Sequence, residues 1–154
     1  MTMLKLCALA VCAIFTAGAA GALERFDTAP LTIETRSGPV ELTVELADSR
    51  AQQTQGLMFR RTLPEDNGML FDYRSPRTIR MWMRNTLIPL DMIFIGSDGR
   101  VVDIARRATP LSEDIIESGA PARAVLEVNG GAADRWGVAV GDRVVTPRFA
   151  GPGR

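Results

Sequence analysis

Two carboxylates stand where carboxylates are costly. Asp91 interrupts the apolar run Leu90–Ile95, and Glu127 interrupts Val125-Leu126-Glu127-Val128. Removing a charged carboxylate from water costs several kcal/mol unless a cation or backbone donors receive it, so each acid should be neutral or held. Arg84 and Arg106 could supply guanidiniums, and Asn85 and Trp82 could shape a cleft beside them. Two acids in different apolar settings can have separated pKa values, as acid–base chemistry requires. The structural alternative is that Asp91 ties down the Asn85-Thr86 loop and Glu127 is an edge residue facing water.

Much other chemistry is excluded. The chain has no histidine, and Cys7, Cys12 and its single lysine, Lys5, all lie in the first 22 residues. Beyond them there is no Ser-His-Asp triad, no thiolate nucleophile, no Schiff-base lysine and no imidazole for zinc or copper. Gly130-Gly131 lacks the spacing of a phosphate-binding loop. Met58, Met69, Met81, Met83 and Met92, with Trp82, offer soft sulfur for Cu(I), but methionine more often fills irregular core gaps. Glu113, Asp114 and Glu117 have no calcium-loop spacing and read as a solvated acidic turn. No metal and no cofactor are expected.

The elements that position these residues begin after a distinct N-terminus. Lys5, the apolar run Leu6–Phe15 and the small-residue stretch Thr16–Ala22 have the layout of a secretory signal peptide over residues 1–22. Cleavage would fall after Ala20 or Ala22 and leave the protein periplasmic or extracellular. The alternative is an uncleaved N-terminal membrane anchor, for which the apolar stretch is short against the roughly 20 residues a spanning helix needs. The remaining chain carries 17 arginines against 18 carboxylates, a formal net charge of about −1. That balance gives no reason to expect nucleic acid or an anionic membrane surface as partner.

Residues 23–30 read as a tether, 31–146 as a single globular domain and 147–154 as a tail. Leu31 to Leu46 alternates apolar and polar residues on both sides of Ser37-Gly38-Pro39, as a hairpin would. Ser49 with Gln52 resembles a capping box, and Gly56 a helix stop, which predicts a helix over Ser49–Gln55. A short strand is expected at Met69–Phe71, then a loop through Ser75-Pro76. In the next strand Ile79, Met81 and Met83 face one way, and Arg80, Trp82 and Arg84 the other. Leu90–Ile95 and Val101–Ile104 flank Gly96-Ser97-Asp98-Gly99, a hairpin signal. Its two registers set Asp91 opposite Arg106 or Ile104, on the face of Ile93 either way. A helical turn is expected at Ser112–Glu117, a strand at Ala124–Val128, a helical turn at Ala132–Trp136 and a last strand at Arg143–Val145. This pattern predicts an α+β fold, mainly antiparallel β: a compact barrel or strongly curved sheet with one or two short helices.

Five segments also occur together in order and spacing: Gly56-Leu57-Met58-Phe59-Arg60, Gly68-Met69-Leu70-Phe71, Trp82-Met83-Arg84-Asn85-Thr86 with Ile88-Pro89-Leu90-Asp91, Val125–Gly130, and Gly141-Asp142. In them the chain resembles the domain of unknown function 192 family, small and often exported prokaryotic proteins, over about residues 31–146. The resemblance implies a compact β-rich fold and no established activity. The positions matching its polar motif are Arg60, Trp82, Asn85, Thr86, Asp91 and Glu127. Arg84 falls where the family often has lysine, which implies a need for positive charge there.

Two functions follow as expectations. The first is a non-catalytic envelope module that binds a small anionic ligand or a partner protein through Arg60, Trp82, Arg84, Asn85, Thr86 and Asp91, using guanidinium forks and an indole. The second is a hydrolase or lyase acting on an envelope glycan, with Asp91 and Glu127 as acid and base. That chemistry requires both carboxyls to face one cleft.

Overall fold

The computed structural model describes residues 23–149, so the expected signal segment and residues 150–154 of the tail lie outside the described residues. The elements run β1 (Thr28–Thr35), β2 (Gly38–Ala47), α1 (Arg50–Gln55), β3 (Asn67–Arg77), β4 (Arg80–Met81), β5 (Leu90–Ile95), β6 (Val101–Ala108), β7 (Ile116–Glu117), β8 (Ala122–Asn129), α2 (Ala132–Arg135) and β9 (Arg143–Val145). Seven strands form one sheet in the order β6-β5-β8-β3-β2-β1-β9, and β4 pairs with β7 beside it. All pairs are antiparallel except β2 with β3, which α1 and the following loop connect. The sheet curls into a half-barrel, as the pattern of short strands and turns predicted. Its two edges meet at one end, where Val101 N–H donates to Asp142 O at 2.9 Å and Val144 N–H to Gly99 O at 2.8 Å.

The sheet has a core on each face. Leu31, Ile33, Val44, Ile93 and Leu126 fill the enclosed side together with Ala132 and Ala133 of α2. Met69, Phe71, Met92, Phe94 and Val125 form the outer side, beneath Leu57, Ile79 and Met83 from the connections. Every residue of β5 is therefore buried, which explains why it reads as an apolar run rather than an alternation. Met69, Met83 and Met92 are fully buried fillers of the outer core.

Some local expectations shift. Three residues of the tether, Thr28–Pro30, already belong to β1. The first hairpin turns at Arg36-Ser37, since Thr35 pairs with Gly38. β3 continues through the Ser75-Pro76 segment that read as a loop. An irregularity between Asp72 and Arg77 takes the proline out of the regular ladder. Ser112–Glu117 does not form a helical turn: Ile116 pairs with Met81, and Ser118 N–H donates to Ile79 O at 2.9 Å. No helix among the described residues is long and apolar enough to cross a membrane.

Candidate functional site

Asp91 is 0% exposed and fully engaged by main chain. Arg107 N–H donates to Oδ1 at 2.7 Å, Gly131 N–H to the same oxygen at 2.9 Å, and Ala133 N–H to Oδ2 at 2.9 Å. Two local distortions aim these donors. β6 bulges opposite Asp91, because Leu90 pairs with Ala108 but Met92 with Ala105, and Arg107 takes φ 50°. Gly131 takes φ 85° at the start of α2, a conformation that suits glycine. The Arg106 guanidinium goes elsewhere, to Asp134 Oδ1 at 2.7 Å and Val138 O at 3.2 Å. Asp91 thus ties β5, β6 and α2 together inside the half-barrel, whereas sequence reasoning had considered the Asn85-Thr86 loop as its partner.

Glu127 differs in every respect. It pairs with Met69 on one side and Met92 on the other, so its side chain lies on the outer face while Asp91, opposite Val128, lies on the inner one. The two acids do not share a cleft, and the expected acid–base pair does not form. Glu127 is 4% exposed; among the described residues no protein group donates to it, and no fully enclosed polar atom lacks a partner. Its oxygens therefore open onto the cavity above it. Burial pushes its pKa up to about 8. Tyr73, beside it, is also raised, first by burial and then by the neighbouring Glu127 charge, against the lowering effect of Arg77.

The cavity holds about 100 Å³ and opens to solvent on one side. β8 supplies the acid on its floor and β3 supplies Phe71 and Tyr73. The remaining walls come from connections: α1 and its exit bring Gln53, Gln55 and Met58, and the stretch after β3 brings Met81, Trp82 and Thr86. Ser49 caps α1 as expected, accepting from Gln52 N–H at 3.1 Å while Gln52 Oε1 accepts from Ser49 N–H at 2.9 Å. At Gly56, φ is 48° and a Cβ would lie 3.2 Å from Phe71 Cζ, so the chain leaves the helix tight against the cavity wall.

Of the residues expected to bind ligand, Trp82 and Thr86 line this cavity, and so does the candidate acid Glu127. The others do not. Arg60 forms a two-pronged pair with Glu45 at 2.5 and 2.6 Å. Arg84 lies over the Trp82 ring at 5.6 Å and 3.8 Å from Glu113. Asn85 takes φ 57° and accepts from Phe59 N–H through its carbonyl at 2.9 Å, which shapes the loop rather than the cavity. Sequence reasoning missed Tyr73, Gln53 and Gln55, which carry no local signal of function. Among the described residues no cluster of His, Cys, Asp or Glu is placed to hold a metal ion.

The DUF192 profile, described as uncharacterized ACR, matches residues 31–146. A crystal structure from Sinorhizobium meliloti 1021, provisionally described as a transcription regulator, is 45% identical with a TM-score of 0.78. That match covers 81% of this chain and 98% of that one. A protein of unknown function from Novosphingobium aromaticivorans DSM 12444 is also 45% identical, with a TM-score of 0.75, over 77% of this chain and 84% of that one. No curated protein matches.

Proposed function

The chain belongs to the domain of unknown function 192 family, and from that premise we propose that it is a non-catalytic binding domain that holds the polar end of a small ligand above Glu127. One observation carries this reading: a buried carboxyl without a protein donor among the described residues opens into a cavity. An acid in that state costs stability, and proteins retain such costs where function uses them. Asp91, by contrast, spends its oxygens on the fold.

The reading departs from an anion-binding cluster of arginines, because Arg60 is paired with Glu45 and Arg84 lies outside the cavity. A two-carboxylate hydrolase is not supported, since the acids project to opposite faces. Placement in the envelope, after signal cleavage or on an uncleaved anchor, is supported by the N-terminal sequence pattern. A side chain offered by an envelope protein could fill the same cavity as a free small molecule.

Thermal shift across small amines, carboxylates, glycans and nucleotides tests this. A ligand at a hundred times its Kd adds about 2.7 kcal/mol, which is several degrees for a domain of this size. The expected outcome is a shift with at least one class that Glu127→Gln and Trp82→Ala both diminish. Silence across the panel, or a response indifferent to both substitutions, would count against the cavity as the site.

A further inference from the structure

We infer that the cavity receives a small organic cation, an alkylated ammonium head, for which Glu127 is the counter-ion and Tyr73 and Trp82 are π walls. This rests on the proposed use of the cavity and names the class of its occupant.

The first support is what surrounds the acid. Apart from Glu127, the charged side chain on the lining is Arg80 from β4, and its guanidinium is already 2.6 Å from Glu117. β3 contributes Tyr73, whose ring carries Arg77 at 4.2 Å; α1 contributes Gln53, Thr54 and Gln55, and the Trp82–Thr86 stretch contributes no charge to the lining. The floor is thus an acid without a cation of its own: Arg80 is paired with Glu117, while Arg77 and Arg84 lie over one face of Tyr73 and Trp82, respectively, and leave the other face to a ligand. A positive ligand head supplies the missing charge, and its arrival lets Glu127 give up its proton to solvent. On the lining an anion would meet only Arg80, which Glu117 already holds.

The second support is the wall chemistry. Phe71, Tyr73 and Trp82 present aromatic surface, and Met58 and Met81 present polarizable thioethers. Ring faces attract cations and repel anions. The Tyr73 hydroxyl already turns towards sulfur, 3.6 Å from Met81 Sδ, in place of a stronger acceptor. The third support is size. About 100 Å³ of inner space matches an ammonium head with a few methyl groups. The open side lets the rest of the ligand extend outwards.

The experiment follows the Glu127 carboxyl by carbon NMR through a pH titration, alone and with methylammonium, tetramethylammonium, acetate or acetamide. Without a probe its midpoint should lie near 8. Saturation with either ammonium should lower that midpoint by more than one pH unit. Cation affinity should rise about tenfold per pH unit below the midpoint, because each binding event releases a proton. Glu127→Gln should remove the pH dependence and weaken binding at least tenfold, and Trp82→Ala should weaken it severalfold. If acetate or acetamide binds with the midpoint unchanged or raised while the ammoniums do not, the cavity is a site for another class and the cation inference fails alone. If nothing binds and no shift near the cavity moves, the proposed function fails with it.

Discussion

At neutral pH most Glu127 side chains are protonated, since burial lifts the pKa from 4.5 to about 8. The unfolded chain ionises this group first, so between those two values the folded state holds the extra proton. Stability should therefore fall as pH rises through that window, with a contribution of up to about 1.4 kcal/mol per unit, and the group's favourable contribution should be lost above about 8. Glu127→Gln should flatten this slope and be the more stable protein at pH 8, as measured by urea unfolding across pH. Asp91→Asn should do the opposite. It places an amide donor among three buried N–H groups, and a loss of about 2–4 kcal/mol is expected in the same measurement, with ammonium binding retained in the folded fraction. Both acids stood out in the sequence because each breaks an apolar run. Their division between faces did not, because it is set by the pairing of β5 with β8, over thirty residues apart in the chain.

α1 is six residues long and buries none of them, so neither length nor packing holds it in place. Its capping box and the hold of Gln52 Nε2 on Arg25 O at 2.6 Å do so. Ser49→Ala should cost about 1 kcal/mol, and hydrogen exchange at Gln53–Gly56 should quicken before the sheet responds. Exchange unchanged in that stretch would show that the wall is held some other way. This helix was legible because Ser49, Gln52 and Gly56 signal locally. The segment Ser112–Glu117 was not, because its acids suit a helical turn while Ile116 answers to Met81, far back in the chain. The same limit hid the length of β3, whose pairing with β8 carries it past Pro76.

For the molecule as a whole, turn signals and alternating runs were enough to read a curved, mainly antiparallel sheet. The meeting of its edges and its two separate cores depend on contacts between distant segments and left no periodic trace. The cavity also combines parts with different mechanical character. Its floor is anchored in β8, inside the sheet between β5 and β3, whereas much of its wall is a short helix that buries none of its own residues and the connections beside it, of which Leu57 reaches the outer core. Such a division makes the fold evolvable. Descendants of one ancestor could change the shape they accept by rewriting connections, without reopening the question of whether the barrel forms, and the acid would stay put while its clientele drifted.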